Sequence, residues 1–254
     1  MLRRQLGLLA LVMAALAPVT VLVVRGWAAA WPFPLLVPIS TAGAVLPAGP
    51  RLANATVTGI ALALAVGAIS TPLAMLASRA LARASTRIRT LGQALAFLPV
   101  VAPPVSLGIG AALVSMQLHV AGTWGGVLLT HVLPATGYAT LFLTAVLDRY
   151  EFAAEDAART LGASRIDIMR RIAIPILRPR IAEAFALAAL VSWGQLALTL
   201  LVGEGAVRTL PVELLAFVNS GDDRLGALSA LVLTVPPLAG FGLLQRATSR
   251  VRAI

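Results

Sequence analysis

Six stretches of about 20 mostly apolar residues recur along this chain, roughly at 6–24, 53–76, 91–116, 124–147, 181–202 and 225–244. Each is long enough to cross a bilayer as a helix. A segment in lipid must satisfy its backbone polar groups internally, and a single helix does so. Composition agrees: 59% of the 254 residues are hydrophobic and 12% are charged. A soluble domain of this size has no interior large enough for that much apolar surface. The pattern predicts an all-α integral membrane protein with six transmembrane helices, residues 1–254 forming a single transmembrane domain.

The arginines orient these spans. All 20 basic residues are Arg, and 16 of them fall before span one, between spans two and three, between spans four and five, or after span six. Only Arg25, Arg51, Arg208 and Arg224 fall on the other side. The excess of positive charge marks the cytoplasmic side, so both termini are expected inside. Trp27, Trp31 and Trp124 then sit at outer ends, where an aromatic belt forms. Arg3 and Arg4 before an apolar run, with Ala28–Ala30 after it, suggest a signal peptide, but the run is longer than a cleaved signal and reads as a retained anchor. Two outer loops remain, 26–52 and 203–224, the second with a short surface helix expected near 212–218.

Several function classes lose support. The chain has no cysteine, which removes disulfides and thiolate metal sites. His119 and His131 have no carboxylate nearby in sequence, so no metal site is expected. The net charge of +10 is spread between apolar segments rather than gathered in a basic domain, so nucleic acid is not an expected partner. No glycine-rich phosphate loop ending in Lys-Ser or Lys-Thr is present, so the chain does not bind ATP in that manner and is not expected to be an enzyme.

The most informative segment is the polar insert 148–180 between spans four and five. Residues 150–161 are alanine-rich, with Glu155 and Asp156 early, where a helix dipole favours negative charge. Gly162 can end that helix in the left-handed conformation. Ser164, with Asp167 three residues later, signals the start of a second helix. That helix runs through Met169, Ile172 and Ile174; Pro175 is expected to break or end it, and Pro179 to start the next.

The order Asp156-Ala157-Ala158, Gly162, Ile172, Ile174, Pro175 resembles the cytoplasmic "EAA" loop of permease subunits in binding-protein-dependent ABC importers. The spacing matches throughout. Asp156 replaces the pattern's Glu, with Glu155 just before it, and Ile174 replaces Leu. Ser192-Trp193-Gly194-Gln195 and Thr199-Leu200-Leu201-Val202-Gly203 further resemble permeases of the iron, polyamine, molybdate and thiamine group. The resemblance implies the type I importer permease fold, with a cytoplasmic coupling helix between spans four and five that docks in a groove of a separate ATPase. Glu155, Asp156, Ala157, Ala158, Arg159, Gly162, Ala163, Arg165, Ile172 and Pro175 would carry that coupling. Small residues allow close approach, Gly162 allows the turn, and the arginines steer docking to an acidic rim. It also implies ATPase subunits holding ATP and magnesium, with no cofactor in this chain. A second permease subunit, an external solute-binding protein, and the inner membrane of a bacterium or archaeon complete the expected setting.

No Asp, Glu or Arg lies deep in a span, which counts against a carrier built on protonatable carboxylates. Ser192, Trp193, Gln195, Thr199, His131 and Asn54 are the candidates for a translocation path. For each, the plainer alternative is a side chain satisfied by helix backbone or by packing. A secondary carrier, a channel or an integral membrane enzyme are the alternatives to an importer subunit.

Overall fold

The computed structural model describes residues 2–28 and 49–251, though side chains from 241 on and several before residue 16 lie outside the description. The proline- and tryptophan-bearing part of the first outer loop, 29–48, falls outside the described residues, as do the Trp31 belt position and most of the Ala28–Ala30 signal. All regular structure among the described residues is helical. In chain order the helices are α1 (Leu2–Trp27), α2 (Gly49–Ala82), α3 (Thr86–Val101), α4 (Pro104–Gln117), α5 (Trp124–Leu147), α6 (Ala153–Thr160) and α7 (Arg165–Ile168). A π turn, Met169–Ala173, follows, then α8 (Ile174–Trp193), α9 (Ala197–Gly203), α10 (Leu210–Asn219) and α11 (Asp223–Val251).

Helices α2 and α5 are each long and apolar enough to cross a membrane. The expected third span is not one helix: α3 and α4 meet at a bend of 98°. The reason lies in Ala102-Pro103-Pro104. A residue before proline is pushed out of the helical region, and two such residues occur in succession. Ala102 has φ −56° and ψ 133°, and Pro103 φ −53° and ψ 129°, both extended. The fifth stretch is also bent: it starts well before residue 181, runs as a helix to Trp193, and turns by 60° into α9.

By internal contacts the chain divides into two units, residues 1–59 with 208–242 and residues 60–207 with 243–254. In the larger unit α5 is the central element, with α3, α8 and α9 packed on it and α4 packed on α9. Small residues bring α5 and α8 together. Ala135 and Ala139 on α5, and Ala184 and Ala188 on α8, have no exposed surface and share one apolar cluster with Leu62, Val66 and Leu143. This is how membrane helices gain contact where no hydrophobic effect operates between them. Gly137 takes the same role toward α3: a Cβ there would lie 2.5 Å from the Ala96 carbonyl oxygen. Large apolar residues such as Leu95 and Leu98 remain mostly exposed, an outward face suited to lipid or to another subunit.

In the smaller unit Arg25 pairs with Asp223 at 2.6 Å, and Arg224 Nε donates to the Gly26 carbonyl at 3.1 Å. The short helix expected near 212–218 is present as α10, and its Glu213 is buried beside Arg51 and Arg208.

Candidate functional site

The insert after α5 folds as helix, turn, helix. Helix α6 is short, and among its residues Glu155 alone is buried. Each oxygen of that carboxylate is engaged. Oε1 accepts from Arg79 Nη1 at 2.9 Å and from the Tyr150 hydroxyl at 2.9 Å; Oε2 accepts from Arg79 Nη2 at 2.5 Å and, more loosely, from Arg83 at 3.4 Å. Arg79 is mostly shielded, at 14% exposure. The Arg83 guanidinium also lies 4.5 Å from the centre of the Phe152 ring, which packs edge-on against Tyr150. Burial alone would raise the Glu155 carboxyl, but the hydrogen bonds from Arg79 and Tyr150 and the charges of Arg79 and Arg83 outweigh it and hold the group below its ordinary value. Burial and the facing carboxylate push the Tyr150 phenol up to about 12, so it remains a donor.

Asp156, the residue in register with the pattern's Glu, points to solvent. It is half-exposed and pairs with Arg83 at 3.2 Å and Arg159 at 3.0 Å. The buried carboxylate is therefore its neighbour, Glu155, one position outside the motif's register.

Gly162 does what its place suggested. Its φ is +86°, its N–H donates to Arg159 O at 3.0 Å, and the next N–H, of Ala163, donates to Ala158 O at 3.0 Å. That pair of bonds is a Schellman ending, which closes α6 and satisfies carbonyls left free at its end. Ser164 Oγ then accepts from the Asp167 N–H at 3.1 Å and donates to its carboxylate at 2.6 Å, starting α7.

Pro175 does not break the second helix. The helix runs unbroken from Arg165 to Trp193, with Pro175 in the first turn of α8 and Pro179 inside it. The π turn absorbs the proline. The Ile174 N–H reaches back five residues to Met169 O, and the wider turn makes room for a ring that would otherwise press on the carbonyl four residues before it.

Of the other coupling candidates, Ala157, Arg159, Gly162, Arg165 and Pro175 are exposed, while Ala158, Ala163 and Ile172 are half-buried. Two residues passed over in the sequence stand out. Leu161 and Ile166, on either side of the Gly162 turn, are 88% and 64% exposed. Bulky apolar residues flanking a Gly turn inside a polar loop were the available signal.

Three path candidates come together in the larger unit. His131 on α5 is fully buried, with Nδ1 2.9 Å from Ser192 Oγ at the end of α8 and Nε2 3.0 Å from Thr199 Oγ1 on α9. Thr199 spends its own proton on the Gln195 carbonyl, at 3.0 Å. Nε2 is therefore the donor to Thr199, and with Nδ1 against Ser192 the imidazole clasps both sides of the α8–α9 bend. Trp193 is buried and Gln195 half-buried. Asn54 belongs to the other unit and is exposed. Among the described residues no three His, Asp or Glu side chains are grouped to hold a metal.

Residues 59–250 match the family model for the binding-protein-dependent transport system inner membrane component. The chain is 29% identical over 157 residues to PhnV of Salmonella typhimurium, named for 2-aminoethylphosphonate transport; the match covers 61% of this chain and 59% of that protein, so the chain spans about three-fifths of this relative's length. It is 21% identical over 185 residues to the spermidine/putrescine permease PotC of Haemophilus influenzae, covering 72% of each. It is 26% identical over 203 residues to the trehalose permease SugB of Mycobacterium tuberculosis, covering 78% of this chain and 74% of that one. The fold resembles a chain of a bacterial ABC transporter that imports the acidic polysaccharide alginate, with a TM-score of 0.67, 17% identity, and coverage of 96% and 95%. The chain belongs to the family of binding-protein-dependent transport system inner membrane components.

Proposed function

We propose that this chain is the membrane-spanning subunit of an ATP-driven importer, its residues 1–254 working as one permease domain of six spans. In this reading both termini are cytoplasmic, in the inner membrane of a bacterium or archaeon. A separate ATPase hydrolyses ATP with magnesium, a second permease subunit completes the pathway, and an external binding protein delivers a small solute. The observation that carries the reading is the α6–Gly162–α7 unit, a polar lever between apolar helices with one face held and the other free. Its free face offers Ala157, Leu161 and Ile166 as contact surface, with Arg159 and Arg165 to orient it toward an acidic groove. Ser192, Trp193, Thr199 and His131 act in this reading as the packed wall of the path, with Gln195 more open to it; Asn54 remains a path candidate of its own unit.

Topology is tested by single cysteines in this cysteine-free chain. Ser85→Cys is expected to react only from the cytoplasm and Ser220→Cys only from outside; the reverse labelling rejects the orientation. Coupling is tested by Ala157→Glu and Ala158→Glu, which put bulk and charge at the contact, and by Gly162→Leu. No atom obstructs a side chain at Gly162, so the cost there is the left-handed backbone, about 1–2 kcal/mol. All three are expected to remain in the membrane, to retain less ATPase on purification and to lose stimulation by the binding protein. Normal retention and full stimulation would make the loop a passive connection.

A further inference from the structure

We infer that Glu155, through its paired hydrogen bonds to Arg79, is the positioning residue that ties the docking helix α6 to the end of α2, so that displacement of α6 moves α2. The inference rests on the coupling role proposed above and adds to it a route: α6 is joined to α5 and α8 by the chain itself, but to α2 only by side chains.

Three observations carry it. Glu155 is the only buried residue of α6, so little else on that helix's inner face resists displacement. The Arg79–Glu155 contact is a two-pronged fork, at 2.9 and 2.5 Å, which fixes orientation as well as distance; a single ion contact would leave α6 free to swivel. The surroundings are built to keep that fork closed. Tyr150 fills a remaining acceptor site on Oε1, and Arg83 bridges Glu155 and Asp156 while lying over Phe152. Both arginines come from the last turns of α2 and its end, 76 and 72 residues before the glutamate. Asp156, half-exposed, adds a looser link to the same end through Arg83 at 3.2 Å and divides its contacts with the adjacent Arg159, so the shielded two-pronged fork remains with Glu155.

The test uses the complete transporter in liposomes, with its ATPase and binding protein, and reads three quantities: ATPase retained on purification, basal hydrolysis, and hydrolysis stimulated by the binding protein. Glu155→Gln is expected to keep retention and basal hydrolysis and to cut stimulated hydrolysis about tenfold, the upper range for a residue along a coupling route. The exchange Arg79→Glu with Glu155→Arg is expected to restore at least half of it. Tyr150→Phe leaves the ion pair intact and serves if Glu155→Gln folds poorly; a loss of about threefold is expected. Glu183→Gln, in a local pair with the half-exposed Arg180 three residues before it, is the control and is expected to be unchanged. Wild-type stimulation in Glu155→Gln or in Tyr150→Phe overturns the inference. So does loss of ATPase retention in Glu155→Gln, which would make Glu155 part of the docking face. Failure of the wild-type chain to retain any ATPase refutes the coupling reading itself, a distinct result.

Discussion

Two buried glutamates, one in each unit, are dressed alike and held differently. Glu155 and Glu213 each face two arginines, and each has an arginine over a phenylalanine ring: Arg83 over Phe152 and Arg51 over Phe217 at 5.0 Å. Glu155 receives a complete set of donors, and its nearer arginine is shielded. Glu213 has Arg51 at 2.6 Å and Arg208 at 3.4 Å, and those arginines are 46% and 56% exposed. The first is a joint whose geometry is over-determined; the second is an anchor whose cations stand half in water. Burying a carboxylate requires compensation in both places, but only the first removes the partner's freedom as well.

The largest effect expected from this contrast is on stability. Glu155→Ala strands Arg79 and Arg83 and should cost about 3–5 kcal/mol, read from thermal unfolding of the detergent-solubilised protein. Glu213→Ala should cost roughly 2 kcal/mol, because Arg51 and Arg208 can complete their hydration. Equal losses would erase the distinction.

Acid tests the Glu155 joint next. The folded Glu155 carboxyl titrates below its unfolded value, so the clamp's contribution is fully present above the ordinary carboxylate range and fades only as pH falls through the lower folded value. The stability difference between wild type and Glu155→Gln should thus stay constant from neutrality down to about pH 5. A difference that shrinks across that window would mean the carboxylate is not held by its arginines. The smallest effect is expected from Tyr150→Phe, about 1.5 kcal/mol from one lost hydrogen bond to a charged group.

What the sequence revealed and what it hid divide by range. The Gly162 turn and the Ser164 start were legible because each is written in residues within four positions of one another, as was α10. The bend at Pro103-Pro104 is half legible: proline inside an apolar stretch is a general kink signal, but the successive extended residues that make it 98° are a property of the pair. The bend after Trp193 has no proline to mark it. The clamp was invisible because Arg79 is 76 residues from Glu155, and the match to the loop pattern drew attention to Asp156 instead. His131 is likewise tied to partners 61 and 68 residues away, though its role as a packed, hydrogen-bonded histidine was the plainer expectation.

The π turn at Met169–Ala173 has a consequence for how this segment tolerates changes of length. A π turn is an α-helix carrying one surplus residue, and each residue advances an α-helix by about 100°. Because the wide turn already absorbs that surplus, deleting one residue between 169 and 173 would let the ordinary spacing close up and leave everything before it facing nearly the same way, whereas deleting one from the regular helix that follows would rotate it by about 100° about the axis of α8. Only the second deletion would turn Leu161, Ile166 and Arg165 to a different direction with their own side chains intact. The π turn is thus the one stretch of this segment where the chain can lose a residue without re-aiming the loop.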